Sequence, residues 1–296
     1  MQGKRTPLAV FAVCSLAAGL SACNSGSDGD SEPLSVDTYA LTSNNRLVGF
    51  ARAAPDIQSA VTISGLQSGE TLLGIDIRPA GTPAGQIIAL GSSGRLYAVN
   101  PDSGAATLKS TLAADPTDTS APFTTLGDGN FGVDFNPLVD RLRVVSDSGL
   151  NLRINVDTGL TITDGTLNVA GTPESGISAT AYSNSFASTC RTTLFYMDSD
   201  SGTLLSTSDP NNGTLTSVGA LGSGASSGVN GFEISTAANG DNTAFAVVDS
   251  SGGSSIASIN LSSGVASSAV AVTGLAGGET LRGLAIAAPD TSPAQT

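Results

Sequence analysis

The chain has 296 residues, with 12 Lys+Arg against 25 Asp+Glu, a formal net charge of −13, and neither histidine nor tryptophan. The absence of histidine excludes a Ser-His-Asp triad, a His-ligated zinc and a His-ligated haem. An acidic chain with two lysines, Lys4 and Lys109, and only 4% aromatics lacks the basic patches and stacking platforms of a nucleic-acid binder, so no nucleic-acid partner is expected.

In chain order, the first element is a leader. Lys4 and Arg5 form a short basic region, and Leu8 to Leu20 is an apolar run of 13 residues, too short to cross a bilayer and suited to a signal sequence. It ends in Leu20-Ser21-Ala22-Cys23, which resembles the lipobox of bacterial lipoproteins. The resemblance implies cleavage before Cys23, lipidation (palmitate or similar chains) at Cys23, and a protein held in the cell envelope through its lipid anchor. Asn24 stands where inner-membrane retention usually has Asp, which favours the outer membrane, facing either the periplasm or the cell surface. An ordinary secretory signal with a chance cysteine is the plainer alternative. Loss of residues 1–22 removes Lys4 and Arg5, leaving ten basic against 25 acidic residues, a net charge of −15. Residues 23–36 then read as the lipidated cysteine and a polar, acidic tether, 37–290 as one domain, and 291–296 as a disordered tail. Cys14 leaves with the signal, so Cys190 is the one remaining thiol besides Cys23. A disulfide framework is excluded, and Cys190 reads as a loop or strand-edge residue without a histidine to activate it.

The body repeats itself. Blocks of strand, Ser/Asp/Gly turn, strand and Asx-x-x-x-Gly turn begin at Ile87, Leu142, Leu194 and Ala244, with a more divergent copy from Thr38. Ahead of each block stands a short leading strand: GIDI from Gly74, GVDF from Gly132, ATAY from Ala179, GFEI from Gly231 and GLAI from Gly283. Their second residues, Ile75, Val133, Thr180, Phe232 and Leu284, are spaced 58, 47, 52 and 52 apart, the size of a four-stranded blade. No segment after residue 30 sustains a helical pattern. The last copy holds only a leading strand and the first copy lacks one, so the two ends complete one blade between them. The expectation is an all-β, five-bladed β-propeller closed by pairing of the N- and C-terminal segments, which removes exposed sheet edges. A sixth blade over 105–130, inside the long 58-residue spacing, is the alternative.

The run FGVDFNPLVDRLRVVSDSGLNLRINVDTG from Phe131, with GLQSGETLLGIDIRPAG from Gly65 and TTLFYMDSDSGTL from Thr192, resembles the bacterial family called domain of unknown function 4394. The resemblance spans about 37–290 and implies a secreted or lipid-anchored propeller-like domain. It implies no reaction.

Two constellations carry chemistry. Strand alternation puts Arg141 and Arg143 on one face of a strand, and Asn151 and Arg153 on one face of the next. With Asp134 these form either an inter-blade ion-pair network or an arginine-lined pocket for a small anionic ligand. Asp76, Asp134 and Glu233 occupy the same position of three leading strands, where a propeller lines its central channel. Converging oxygens without histidine suit Ca²⁺, the one cofactor this set would take, as in propeller lactonases. Against that, the other two equivalents are Ala181 and Ala285, and the acids are equally suited to accept hydrogen bonds from neighbouring backbone or arginines. Asp198-Ser-Asp200-Ser-Gly202 opens like a calcium loop but lacks the closing glutamate, so it reads as a hairpin turn. Three functions follow: an envelope binding or scaffold module for a protein or small anion, a calcium-dependent hydrolase, or a purely structural envelope protein.

Overall fold

The structure is a computed structural model that describes residues 35–80, 85–225, 229–250 and 252–287. The leader, Cys23 and the 291–296 tail lie outside the described residues. Within them the regular structure is strand throughout, apart from one short 3-10 turn at Gly222–Gly224.

The first strands are β1 (Thr38–Thr42), β2 (Arg46–Ala51) and β3 (Ala54–Thr62). The second blade is β4 (Leu72–Arg78), β5 (Gln86–Gly91), β6 (Arg95–Val99) and β7 (Ala106–Thr111), in that order across its sheet. A two-residue strand, β8 (Ala113–Ala114), then joins the outer edge of the third blade, made of β9 (Phe131–Asn136), β10 (Arg141–Ser146), β11 (Asn151–Ile154) and β12 (Leu160–Thr163). The short strands β13 (Asn168–Val169) and β14 (Thr172–Pro173) extend the outer edge of the fourth blade, β15 (Ile177–Tyr182), β16 (Leu194–Asp198), β17 (Thr203–Thr207) and β18 (Thr214–Ala220). The fifth comprises β19 (Val229–Thr236), β20 (Asn242–Ser250), β21 (Gly253–Ile259) and β22 (Val270–Ala271), and the last strand is β23 (Leu281–Ile286).

β23 pairs antiparallel with β1, Thr38 opposite Ile286 and Ala40 opposite Leu284, and so supplies the innermost strand of the first blade. Five blades and closure by the two ends are therefore as the repeat predicts. The six-bladed alternative fails because 105–130 contributes only β7 to its own blade and β8 to the next, the rest being turn and loop. The 58-residue spacing is a long loop, not a sheet.

Both faces of each blade are covered, which is why the burial of β9, β10 and β15 is nearly continuous rather than alternating. Alternation still sorts side chains between the two neighbours. In the third blade Val133, Phe135, Leu142, Val144, Leu152 and Ile154 face the second blade, where they pack on Ile88, Leu90 and Leu96. Similar apolar layers separate blades four and five, one and two, and five and one. The layer at the third–fourth interface draws almost entirely on the fourth blade and takes Val145 alone from the third. The opposite face of the third blade carries polar side chains instead.

Glycines set how closely the inner strands approach. Gly74, Gly132, Gly231 and Gly283 stand two residues before the channel position, with Ala179 as the fifth equivalent. A Cβ on Gly132 would lie 2.7 Å from the Thr180 nitrogen and 2.8 Å from the Ala179 Cα, and one on Gly283 would lie 3.1 Å from the Ile75 nitrogen. Backbone packs on backbone around the axis, and the space left inside this ring is about 10 Å³, no more than one water. Gly159 serves differently: it ends the Asn155 turn at φ 77°, where a side chain would be strained, and lies against the Thr111 carbonyl of the preceding blade.

Candidate functional site: channel carboxylates and buried arginines

Asp76, Asp134 and Glu233 do converge, each offering an oxygen within 4.8 Å of the others, and they are only 3, 2 and 3% exposed. Their partners explain the arrangement. Asp76 accepts the N–H of Phe135 from the next blade at 2.6 Å and that of Ile77 at 2.5 Å. Asp134 accepts the N–H of Tyr182, again from the next blade, at 2.9 Å. Glu233 accepts its own Ile234 N–H at 2.9 Å and is hydrogen-bonded to Asp76. The N–H of the residue after the channel position is thus capped by a carboxylate in blades two to five. These groups are turned toward the axis, where no sheet partner exists, and would otherwise be orphaned. Ala181 and Ala285 leave room in the ring, and the longer side chain of Glu233 crosses the blade carrying Ala285 to reach Asp76.

Three carboxylates this close and this buried cannot all be ionised. Burial pushes Asp76 up to about 7. It pushes Asp134 and Glu233 well above the ordinary carboxylate range, with the charges of their neighbours adding to the rise. The group shares protons, and the consistent arrangement has Glu233 donating its proton to the Asp76 carboxylate. As a cation site the set offers oxygens only, which matches Ca²⁺ in type. It falls short in number, because Ca²⁺ takes six to eight oxygens and four of these six already accept backbone N–H groups. The residues do not make a complete calcium cage.

The arginines form a separate system. Arg143, fully buried, donates to Asn151 Oδ1 and Asp164 Oδ2, each at 2.7 Å, to Asn211 Oδ1 at 3.1 Å, and more distantly to the Tyr182 hydroxyl at 3.4 Å. Arg153 grips the same Asp164 carboxylate at 3.1 and 3.2 Å, and Asn151 donates to the Gly165 and Pro210 carbonyls. These bonds tie the third blade to the 209–212 turn of the fourth, at the interface where the third blade supplies little apolar surface. Beside them the Tyr196 hydroxyl is buried without a hydrogen-bond partner. The single cluster of Asp134 with three arginines does not form. Asp134 sits opposite Arg143 in the register, but its carboxylate is taken by Tyr182 N–H; Arg141, at the strand end, donates to the Val139 and Asp140 carbonyls. Arg143 and Asn151 are therefore engaged by the protein itself, Arg153 is held on Asp164 with its side chain partly exposed, and the geometry is that of an inter-blade network.

Several members had no mark in the sequence. Arg78 is as buried as Arg143 and forks onto Asp140 (2.7 and 2.5 Å) and Asp157 (3.1 and 2.8 Å), joining blades two and three. Asp157, hydrogen-bonded by Arg78 and by Lys109 at 2.7 Å, is held far below its usual range. Arg78 shares a strand face with Asp76 two residues earlier, which says nothing of its partners, turn residues 62 and 79 positions away. The two GETL glutamates also lock turns. Glu70 accepts from Ser93 N (2.7 Å), Ser93 Oγ (2.6 Å) and the Tyr97 hydroxyl (3.0 Å), bonds that outweigh its burial and keep it below the usual glutamate range. Glu279 pairs with Arg46 at 2.6 Å and accepts from Thr42 at 3.0 Å. Asp198 caps Asp200 N and Ser201 N in an ordinary turn, and Cys190 is an exposed free thiol.

The sequence profile of the family described as Domain of unknown function (DUF4394) matches residues 46–285, which includes every inner strand but the last residue of β23. The chain belongs to that family. No curated protein matches this DUF4394 chain. Among solved structures it is similar to Kuenenia stuttgartiensis hydrazine synthase, at 11% identity over 71% of this chain and 50% of that one, with a TM-score of 0.40. It is also similar to a structural-genomics protein of unknown function from Bacteroides thetaiotaomicron, at 15% identity, 78% and 57% coverage and a TM-score of 0.43. BamB from Moraxella catarrhalis aligns at 13% identity, 79% and 70% coverage and a TM-score of 0.29. The chain spans about half the length of the first two, and likenesses this distant carry no argument about function.

Proposed function

We propose that this DUF4394 propeller is a lipid-anchored module of the cell envelope, a rigid body that binds or displays a partner on its loop-bearing faces. The observation that supports a binding or scaffold role is that its buried charges, among the described residues, all close on partners inside the domain. Carboxylates 2–3% exposed leave no face against which a substrate could lie beside them, so the hydrolase alternative lacks the open coordination and room that metal-assisted hydrolysis needs. Interaction then falls to the surface, as is usual for loops on a rigid scaffold. The anchor is supported by the basic residues, apolar run and Leu20-Ser21-Ala22-Cys23 of the leader; several acyl chains at ~0.8 kcal/mol per buried CH₂ would hold the chain at a membrane.

The test is metabolic labelling with a radioactive fatty acid, with membrane fractionation of the full chain and of Cys23→Ala. Label and membrane recovery that vanish in Cys23→Ala support the anchor. Equal recovery of the two proteins, with no label in either, overturns it and leaves a secreted propeller.

A further inference from the structure

At one end of the channel, outside the glycine ring, lies a pocket of about 250 Å³ lined by Leu73, Phe131, Asn130, Asn230, Thr280 and Arg282, with Gly129 at its edge. Leu73, Phe131, Asn230 and Arg282 each stand three residues before the channel position of their strand, so the pocket sits on the propeller axis. Arg282 is half-buried, and unlike Arg46, Arg52, Arg78, Lys109, Arg143 and Arg153 it holds no carboxylate among the described residues. Among the described residues it has no hydrogen bond either, whereas Arg95 and Arg141, the other half-buried arginines without an ion pair, donate to Ser93 and to backbone carbonyls. In a chain of net charge −13, a guanidinium withheld from every acidic residue that the structure describes is an unfilled anion seat.

The other polar groups are oriented by the protein. Asn130 donates its amide Nδ2 to Asp147 at 2.9 Å, and Asn230 donates its own to Asp249 at 2.6 Å. Each amide is thereby oriented with one of its two N–H donors engaged, and its carbonyl oxygen remains as an acceptor. The pocket thus combines one forked cation, two amide acceptors, the Thr280 hydroxyl, and an apolar wall of Leu73 and Phe131. We infer that this axial pocket binds a small hydroxylated carboxylic acid, its carboxylate forked on Arg282 and its hydroxyls donating to the Asn130 and Asn230 carbonyls. The volume lies just below the ~300–1,000 Å³ of drug-sized sites, so the ligand is a single small molecule and not a polymer chain. The inference rests on reading the domain as a binding module, and it names the class of ligand for that reading.

The experiment is calorimetric titration of the full-length chain with D-glucuronate and L-lactate, using D-glucose and sulfate as controls for hydroxyls without charge and charge without hydroxyls. Saturable binding of at least one hydroxy acid, at least tenfold tighter than glucose and sulfate, is expected. Arg282→Gln should weaken it tenfold or more, the loss typical of a charged hydrogen-bond partner. Arg282→Lys, which keeps the charge without the fork, should fall between. Arg282 has no partner to lose among the described residues, so both variants should melt like the wild type, which separates lost binding from lost fold. Silence with both acids, sulfate binding as tightly as they do, or undiminished binding in Arg282→Gln each overturns the proposal. The last outcome would leave a binding module whose seat lies elsewhere, while the fatty-acid labelling of Cys23 reports on anchoring independently.

Discussion

Replacing Glu233 by glutamine removes one of the titrating groups of the channel while keeping its contacts. The amide oxygen can accept the Ile234 N–H, and the amide nitrogen can donate to Asp76 as the acid's proton does. In the unfolded chain the three acids titrate near 3.8 and 4.5, whereas folding raises all three, Asp76 to about 7. Between these values the folded state holds more protons than the unfolded one, so the stability they confer is full at low pH and is lost as pH rises through the folded values. For Asp76, passing from 3.8 to about 7 corresponds to about 4 kcal/mol at 1.36 kcal/mol per pH unit. With glutamine at 233 one proton need no longer be taken up. At pH 8 Glu233→Gln should be more stable than the wild type by about 1–3 kcal/mol, several degrees in Tm for a domain of this size. At pH 4.5 the two should agree within about 0.5 kcal/mol. Urea unfolding at half-unit steps from pH 4.5 to 8.5 measures this. Two stability curves that run parallel across the range would refute the shared-proton account.

The remaining predictions concern the frame. Asp164→Ala strips the carboxylate from both Arg143 and Arg153 and leaves a buried guanidinium uncompensated, so denaturant unfolding should show a loss of about 3–5 kcal/mol. A loss below 1 kcal/mol would mean that the third–fourth interface does not depend on the pair. Gly132→Ala drives a Cβ into the Thr180 backbone, which cannot swing aside, and should cost well over 1 kcal/mol; Gly277→Ala, which meets nothing within 4 Å, should stay within about 0.5 kcal/mol. Tyr196→Phe deletes a buried hydroxyl that has no partner and should be neutral or stabilising by about 1 kcal/mol, readable as an equal or higher Tm.

Much of the architecture was legible because a propeller writes its blade period into the sequence: five leading strands, recurrent Asx-x-x-x-Gly turns, and half-blades at the two ends. The equivalence of Asp76, Asp134 and Glu233 was legible for the same reason, since equal positions in equal strands meet at the axis. What such spacing does not carry is the direction of a side chain's last bond. Asp134 and Arg143 share a face and a register pair, yet Asp134 turns to the unpaired Tyr182 N–H because an axial amide has no other acceptor. Arg78 and Arg282 were invisible for complementary reasons. The partners of Arg78 are turn aspartates that look like any others in the sequence, and Arg282 is defined by having none among the described residues.

The central claim is that the channel acids are neutralised by shared protons and not by a bound cation. Thermal unfolding of the full-length chain at pH 7, in EDTA and again in millimolar CaCl₂, tests it directly. The account predicts the same Tm in both. A site filled at 100-fold excess over its Kd would add about 2.7 kcal/mol. A calcium-dependent rise of several degrees that disappears in Asp134→Asn would contradict the account and place a metal at the centre of the propeller.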